Sequence, residues 1–234
     1  MVWRVWLFRL ASWLAYGALV PLYEWVARCY SDDEWHTWRQ QAVGPAIELA
    51  QTATAEGRRT HVLEVGCGTG ALLVELAQTP ALVTGLDRSA AMVSAARRRT
   101  RARGAHLTLM QGQAEALPLA AGVVDAIVLT FPTGYVYAAA TWEEFARVLA
   151  PGGTVIWVDA GELRQPSPLA RLLQGFLLPP ASLTSIVDRF SRRVAAFGFT
   201  SELRTIELPR SRVRVLLARP AATLATGHCA SETD

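Results

Sequence analysis

The sequence predicts an α/β protein built on a doubly wound sheet. From about residue 61 onward, apolar segments of strand length alternate with segments of helical length, as expected when helices connect parallel strands. The first of these strands runs directly into a glycine-rich loop, and a helix follows the loop at once. A chain of 234 residues holds one such domain with additional segments at its ends.

The predicted elements follow the chain in regular order. Helices are expected between consecutive strands, at 70–78, 89–103 and 138–149. The turn Pro209-Arg210-Ser211 joins the last two strands in a hairpin. Seven strands are expected, near residues 61–66, 82–87, 106–111, 123–130, 154–159, 199–208 and 211–218.

Two further segments flank or interrupt the sheet. An insert from Leu163 to Pro180 has leucines at helical spacing and ends in two prolines. It is either a helix of the core, or an apolar wall of an acceptor pocket, or a second membrane contact. Residues 221–234 are small and polar, so they are expected to form a flexible tail.

Three glycines stand at alternate positions after the first strand, in the segment His61–Gly70 that reads HVLEVGCGTG. Without side chains, the backbone approaches a nucleotide-like ligand closely, and the next helix points its N–H groups at the same place. Gly66, Gly68 and Ala71 also satisfy the dinucleotide pattern, so they do not choose between a nicotinamide cofactor and S-adenosylmethionine.

Two acidic residues flank this loop. Glu64 stands where a dinucleotide-binding strand normally stays hydrophobic. It is either a cofactor residue or a buried acid satisfied by the N–H groups of the loop. Asp87 ends the second predicted strand and is suited to accept hydrogen bonds from ribose hydroxyls, as both cofactor classes require.

When residues 111–118, after the third predicted strand, are considered together with the glycine loop and Asp87, the sequence resembles the class I S-adenosylmethionine-dependent methyltransferases of the small-molecule and lipid type. The resemblance covers roughly residues 35–220 and implies a Rossmann-like, mostly parallel seven-stranded sheet with an antiparallel last strand and an N-terminal helical lid. The motifs that carry it are 62–70 (VLEVGCGTG), 85–89 (GLDRS), 111–118 (QGQAEALP), 124–129 (VDAIVL) and 149–156 (LAPGGTVI).

The resemblance also implies roles for individual residues toward S-adenosylmethionine. The loop lines the methionine end of the cofactor, Glu64 orients the loop or the amino group, and Asp87 binds the ribose. Gln113 stands where the family usually has Asp, and its amide carbonyl can accept from the adenine amino group in the same way. The predicted cofactor-binding residues are Glu64, Gly66, Cys67, Gly68, Gly70, Asp87, Arg88, Gln113, Ala114, Glu115 and Thr130.

The N-terminal segment 1–34 is apolar and aromatic. Six of the eight tryptophans lie within the first 38 residues, interleaved with arginines. This composition suits a helix kinked at Pro21 that lies on a membrane surface, and it equally suits a lid over the acceptor side. The 14 uncharged residues between Arg9 and Glu24 are fewer than the roughly 20 that a spanning helix needs.

Catalysis asks little of the protein in this family, because the sulfonium already activates the methyl group and alignment provides most of the rate. A base is needed only if the acceptor must lose a proton. Tyr16, Tyr23 and Tyr30 recur every seven residues and could surround a cationic or polar acceptor, or pack with their hydroxyls at a rim. The other ionisable candidates are Glu24, His36, Asp159 and Glu162.

The expected reaction is methyl transfer to a small, lipophilic or membrane-associated acceptor, either a phospholipid amine or a quinone-like or isoprenoid-like molecule. The loop after the fourth strand begins Phe131-Pro-Thr, which departs from the Phe-Gly-x-Arg-Asn type of sequence found in quinone methyltransferases. The contrasting hypothesis is a cofactor-binding, non-catalytic partner protein at the membrane.

Composition excludes several other classes. The sequence contains no lysine, so no Schiff base forms on its side chains. The densest basic run, Arg97–Arg103, has no aromatic interleaving and is expected to be a solvated helix face, so nucleic acid is not an expected partner. The four histidines show no metal-ligand spacing. Three cysteines without an even framework suit the cytoplasm, with peripheral attachment to the inner face of the membrane as the further hypothesis.

Overall fold

The computed structural model describes residues 20–55, 57–177 and 193–221. Their strands are β1 (His61–Val65), β2 (Leu82–Asp87), β3 (Thr108–Gln111), β4 (Val124–Thr130), β5 (Leu149–Leu163), β6 (Phe199–Glu207) and β7 (Ser211–Pro220). These strands form one sheet in the order β3-β2-β1-β4-β5-β7-β6. The first five are parallel, and β7 runs antiparallel between β5 and β6. The predicted doubly wound, mostly parallel sheet is confirmed.

The helices are α1 (Val20–Tyr30), α2 (Trp35–Gln40), α3 (Val43–Ala55), α4 (Ala71–Leu76), α5 (Ala90–Ala102), α6 (Ala139–Val148) and α7 (Pro168–Leu177), with a 3₁₀ turn at Gly134–Tyr137. The three helices predicted between strands correspond to α4, α5 and α6. Helix α5 begins after Ser89, whose hydroxyl accepts a hydrogen bond from the N–H of Met92. The insert after the fifth strand contains α7.

Strand β5 is longer than the predicted 154–159. It begins at Leu149, which pairs with Val124 of β4, passes through a register shift against β4, and continues to Leu163 because β7 pairs with it from Val155 to Leu163. The shift depends on Gly153, since a Cβ there would lie 2.9 Å from the carbonyl oxygen of Ala150. A turn-like sequence is therefore part of the strand.

Both faces of the sheet are covered by apolar side chains, as a doubly wound fold requires. Alternate residues of β4 face opposite sides, so Ile127 packs in one core cluster and Val128 in the other. The first cluster contains Trp142, Phe145 and Phe199, and the second contains Trp38, Leu72, Leu73 and Leu76.

The N-terminal helices pack on this framework. Trp38 of α2 is fully buried, and its indole N–H donates to the Ser211 hydroxyl over 2.9 Å. Gly161 of β5 lies against the same ring, because a Cβ at that position would stand 2.0 Å from it. Asp32 accepts hydrogen bonds from the backbone N–H and the hydroxyl of Ser167, just before α7. Residues 20–34 therefore contact the domain that the sequence analysis separated from them.

Within the described ranges, no helix is both long and apolar enough to cross a membrane. The predicted flexible tail and most of the predicted membrane segment lie outside these ranges. Pro21 lies within α1.

Candidate functional site

The glycine loop lies between the carboxyl end of β1 and the start of α4. Gly66, Gly68 and Gly70 all have positive φ angles, of 74°, 53° and 73°. Gly70 packs against α5, since a Cβ there would lie 2.9 Å from that of Ala96. A Cβ at Gly68 would meet nothing within 4 Å. The loop is therefore fixed on one side by packing and open at Gly68, where a ligand can approach the backbone.

Asp87 holds this loop from the end of β2. One carboxylate oxygen accepts from the N–H of Gly68 over 2.9 Å and the other from the N–H of Ser89 over 2.8 Å. Burial raises the pKa of Asp87, and these two hydrogen bonds oppose the rise. Each oxygen keeps a further lone pair, so the carboxylate can also accept from hydroxyl groups of a ligand.

Glu64 is 2% exposed and lies at the carboxyl end of β1. Burial raises its pKa to about 8, although Arg39 lies near enough to lower it, and the Thr130 side chain hydrogen-bonds to the carboxyl group. No described group bonds to the second oxygen, Oε2. The alternative in which loop N–H groups satisfy Glu64 is therefore wrong. A buried carboxyl oxygen without a partner fits a cationic donor such as the amino group of a bound amino acid.

The turn after β3 lies beside Asp87, because the N–H of Gly112 donates to the Asp87 carbonyl over 3.1 Å. Gln113 and Glu115 are exposed next to it, while the Ala114 side chain is buried in the core. Ala114 can therefore contact a ligand through its backbone but not through its side chain. Arg88 is also exposed at this edge of the sheet. The predicted adenine-side residues are thus gathered at the carboxyl ends of β2 and β3.

Tyr135 was missed by the sequence analysis. It lies in the 3₁₀ turn after β4, and its hydroxyl donates to the Val65 carbonyl over 3.1 Å. A Cβ on Gly66 would lie 3.0 Å from the Tyr135 hydroxyl, so the phenol covers the first glycine. The sequence feature that could have indicated Tyr135 is its position as an aromatic residue in the loop that follows the fourth strand.

An aromatic cluster covers the space beyond Thr130. Phe131, whose φ angle is 49°, stacks on Trp35 of α2 with ring centroids 3.9 Å apart. Trp38 packs 6.1 Å from Phe131, and Tyr30 packs edge-on to Trp35 at 6.4 Å. Burial raises the pKa of Tyr30 to about 12, so its phenol stays protonated. This cluster joins α1 and α2 to the loop that follows β4.

The basic run on α5 was expected to be a solvated face, and this is wrong for Arg99. Its guanidinium reaches the glycine loop, where it bonds the Thr69 hydroxyl, and it pairs with Glu24 of α1 over 2.7 Å. Arg97, Arg98, Arg101 and Arg103 are exposed as expected. Glu24 thus lies at the cofactor loop, although every predicted cofactor residue came at or after Glu64.

A cavity of about 890 Å³ lies between α1–α3 and the outer faces of α4 and α5. Charged side chains of both signs line it, among them Arg39, Glu75 and Arg99. It does not include the glycines or Asp87. Ala71, the residue after Gly70, does line it, so the cavity lies next to the glycine loop.

The predicted catalytic candidates are dispersed. His36 is exposed on α2 and lies 3.4 Å from Glu75. Glu162 is exposed and bonds Arg212 over 2.8 Å, which is a surface ion pair. Asp159 lies within β5 and Tyr23 within α1, but their side chains, and all of Tyr16, are outside the described part of the structure. Tyr30 alone of the three tyrosines is described in full, in the aromatic cluster.

The Cys67 side chain is buried, and burial raises the pKa of its thiol, so the backbone of this residue is what the loop presents. Among the described residues, no group of three His, Cys, Asp or Glu side chains is placed to hold a metal ion.

The comparisons with known proteins agree with this geometry. Residues 62–153 match the model of a methyltransferase domain. The demethylmenaquinone methyltransferase of Thermus thermophilus is 31% identical over 147 residues, which cover 62% of this chain and 63% of that protein. The fatty-acid O-methyltransferase of Mycolicibacterium smegmatis is 41% identical over 115 residues, 47% of this chain and 40% of that protein. The chain thus spans less than two thirds of the length of these relatives.

A solved structure shares the fold. The magnesium protoporphyrin IX methyltransferase of Synechocystis, solved with bound SAH, superposes with a TM-score of 0.54 at 22% identity, covering 79% of this chain and 84% of that one. The sequence matches identify residues 62–153 as a methyltransferase domain of the S-adenosylmethionine-dependent class, and the solved structure shows that the fold is shared. The family resemblance stated from the sequence is confirmed.

Proposed function

We propose that the protein transfers a methyl group from S-adenosylmethionine to a small lipophilic acceptor. The observation that carries the proposal is the partnerless, buried Oε2 of Glu64 beside a loop that is open at Gly68. The cofactor carries an ammonium group and a ribose, and the residues at this edge of the sheet fit both. When bound, S-adenosylmethionine supplies a methyl group on a positively charged sulfur, ready for in-line attack.

Each cofactor-side residue has a distinct role in this proposal. Glu64 accepts from the ammonium group, and Asp87 accepts from the ribose hydroxyls while it keeps its bonds to Gly68 and Ser89. The backbone at Cys67 and Gly68 approaches the methionine end. Gln113, the backbone of Ala114 and Glu115 flank the adenine, with Arg88 at the same edge.

The acceptor side is built from aromatic groups. Stacked Trp35 and Phe131, with Tyr30 at their edge, exclude water and offer an apolar wall. Tyr135 places a hydroxyl against the first glycine, and a polar atom of an acceptor can meet it there. These residues align the acceptor, and a proton leaves through a base only if the acceptor carries one at the attacking atom.

The activities named for the two relatives indicate the acceptor class. One acts on a demethylmenaquinone and the other on a fatty acid, and both molecules are lipophilic. A lipophilic acceptor also suits the aromatic wall. We therefore treat quinone-like, isoprenoid-like and lipid head-group acceptors as one class. Mass spectrometry of the methylated product distinguishes among them.

The test is methyl transfer from labelled cofactor into a total lipid extract, followed by mass spectrometry of the product. We expect label in an apolar fraction and its loss in Glu64→Gln. Exposed Glu162→Gln is the matched control, because Glu162 only bonds Arg212 at the surface. Label that appears only in water-soluble or protein fractions would contradict the lipophilic acceptor.

We also propose that α1 and α7 rest on a lipid surface. The side chains of Trp25, Leu169 and Leu172 are 56%, 47% and 69% exposed, although α1 and α7 pack together. Exposed Arg171 lies on α7 and suits anionic head groups, whereas exposed Arg28 of α1 pairs with Asp33. Residues 1–19, which precede α1 in the sequence, are rich in tryptophan and arginine.

Liposome co-sedimentation tests this surface. Trp25→Ser and Leu172→Ser should each lower binding to vesicles that contain anionic lipid, because each buried side chain contributes about 1.5–3 kcal/mol. Leu82→Ser is the control, since Leu82 is 44% exposed at the opposite, amino end of the sheet. Equal binding by all three variants would contradict a membrane contact at α1 and α7.

A further inference from the structure

A hydrogen-bonded network joins helix α1 to the glycine loop and to α5. The Thr69 hydroxyl donates to Glu24 over 2.6 Å and accepts from the Arg99 guanidinium over 2.5 Å. The same guanidinium lies 2.7 Å from the Glu24 carboxylate. We call these three residues the Glu24–Thr69–Arg99 network.

The network sits at the most constrained part of the loop. Thr69 stands between Gly68, which is open to a ligand, and Gly70, which packs on Ala96. It is 6% exposed. Arg99 lies three residues after Ala96 on α5, so it reaches the loop from the same side as that packing contact. A shift of Thr69 therefore moves the backbone on both sides of it.

Charge stabilises this arrangement. Burial alone would raise the pKa of Glu24, but the hydrogen bonds from Arg99 and Thr69 hold it below its ordinary value. The carboxylate is thus ionised at neutral pH, and both of its neighbours in the network donate to it. Hydrogen bonds to a charged group are stronger than neutral ones.

We propose that Glu24 is a positioning residue of the cofactor loop: through Thr69 it ties the docking of α1 to the shape of the loop that receives the cofactor. Helix α1 is then part of the cofactor site as well as of the acceptor side. The two events are linked reciprocally, so cofactor binding strengthens α1 docking by the same factor by which α1 docking strengthens cofactor binding. This inference rests on the proposed cofactor binding at the loop.

The linkage has a consequence for the acceptor side. Trp25, the neighbour of Glu24 in the chain, faces outward and is exposed. The same turn of α1 therefore carries the surface proposed for lipid contact and the group that holds the cofactor loop. An empty loop would leave α1 less firmly docked, and a filled loop would fix it.

Hydrogen exchange without ligand tests the positioning role directly. Glu24→Gln should speed exchange of the Cys67 and Gly70 amides, both of which are hydrogen-bonded within the sheet and loop. Asp33→Asn is the matched control, because Asp33 makes an exposed ion pair with Arg28 and does not touch the loop. Equal exchange in the two variants would overturn the positioning role.

The coupling is tested with S-adenosylhomocysteine as the probe. Its addition should slow exchange of amides 24–30 in the unmodified protein. In Thr69→Val and Glu24→Gln this protection should be lost and the Kd should rise about fivefold or more. Thr69→Ser keeps the hydroxyl, so this variant should retain the protection of amides 24–30 and the Kd of the unmodified protein. Unchanged Kd and protection in Thr69→Val would overturn the coupling.

These outcomes separate the inference from the proposed function. If the unmodified protein binds no S-adenosylhomocysteine, the proposed function fails, and the ligand-free exchange of Glu24→Gln still decides whether Glu24 positions the loop. If it binds and the variants bind equally well, the proposed function stands and the coupling is wrong.

Discussion

The two sides of the candidate site are built in different ways. On the cofactor side, the loop and Asp87 are held by backbone groups close to the strand ends, with both oxygens of Asp87 bonded to N–H groups. On the proposed acceptor side, the contacts join side chains that are far apart in sequence. Trp38 bonds Ser211, and Asp32 bonds Ser167.

The difference shows which parts of such a site can vary. Backbone hydrogen bonds and glycine conformations recognise a ligand common to a whole family, and they depend on a short local pattern. The acceptor side depends on packing between α1, α2, α7 and the loop after β4, so substitutions there change the pocket and leave the cofactor loop in place. Glu24 is the exception, because it bonds Thr69 of the loop from α1.

The largest expected effect is on the cofactor side. Gly68→Val should abolish cofactor binding, because the new side chain fills the space at the open face of the loop and disfavours its φ angle of 53°. Calorimetry with S-adenosylhomocysteine measures this, with circular dichroism to check folding. Gly104→Val is the control, since Gly104 has a similar φ of 65° and equally open surroundings after α5. Retained binding would show that the ligand approaches elsewhere.

A smaller loss is expected for Asp87→Ala. Removing a charge-assisted contact should weaken cofactor binding by about 1.5–3 kcal/mol. Asp125→Ala removes a carboxylate that bonds Arg58 and the His61 N–H at the other end of the strands, and it should leave the affinity unchanged. Titration calorimetry of both variants with S-adenosylhomocysteine measures the two affinities. Equal affinity in Asp87→Ala and the parent would remove Asp87 from the ribose site.

Proton release on binding distinguishes Glu64 from every other acid of the loop. With a pKa of about 8, Glu64 is protonated at pH 7 in the free protein, and a cofactor ammonium favours its ionised form. Binding at pH 7 should therefore release a proton, and affinity should rise as the pH rises toward 8. Calorimetry in buffers of different ionisation enthalpy measures the release, which Glu64→Gln should abolish.

The same group affects stability in the free protein. Its folded pKa lies above the ordinary value of 4.5, so its contribution to stability is complete below pH 4.5 and is lost as the pH rises through about 8. Glu64→Gln should flatten this part of the pH profile of the free energy of unfolding. An unchanged slope between pH 5 and 8 would show that Glu64 ionises normally.

The smallest effect is expected on the acceptor side. Ser211→Ala removes the acceptor of the Trp38 indole N–H and should lower the free energy of unfolding by about 1 kcal/mol. Cofactor affinity should not change. Denaturant unfolding of Trp38→Phe, Ser211→Ala and the double variant measures the free energy of interaction between the two side chains. The two substitutions should have non-additive effects on the free energy of unfolding. A loss of cofactor affinity as large as that of Asp87→Ala would erase the distinction between the two sides.

Sequence alone determined the glycine loop and the strand ends of the proposed cofactor side, because their signals are local. The glycine spacing, Glu64, and the acid at the end of β2 are read from short segments, and alternating strands and helices predict the sheet that brings their carboxyl ends together. Element ends were placed within a few residues, except in β5. There the pairing with β7 extends the strand to Leu163, and the pairing with β4, shifted in register beside the closely packed Gly153, includes a sequence that is typical of a turn.

Tertiary structure decided the contacts that cross the chain. Nothing in the spacing of an arginine-rich helix indicates that Arg99 turns inward to Thr69 while its neighbours stay exposed. The same is true of Tyr135 over Gly66 and of Glu24 at the loop. Local patterns fix backbone conformation and burial, but which distant side chains meet depends on how the helices pack, and that is settled only when the whole core is formed.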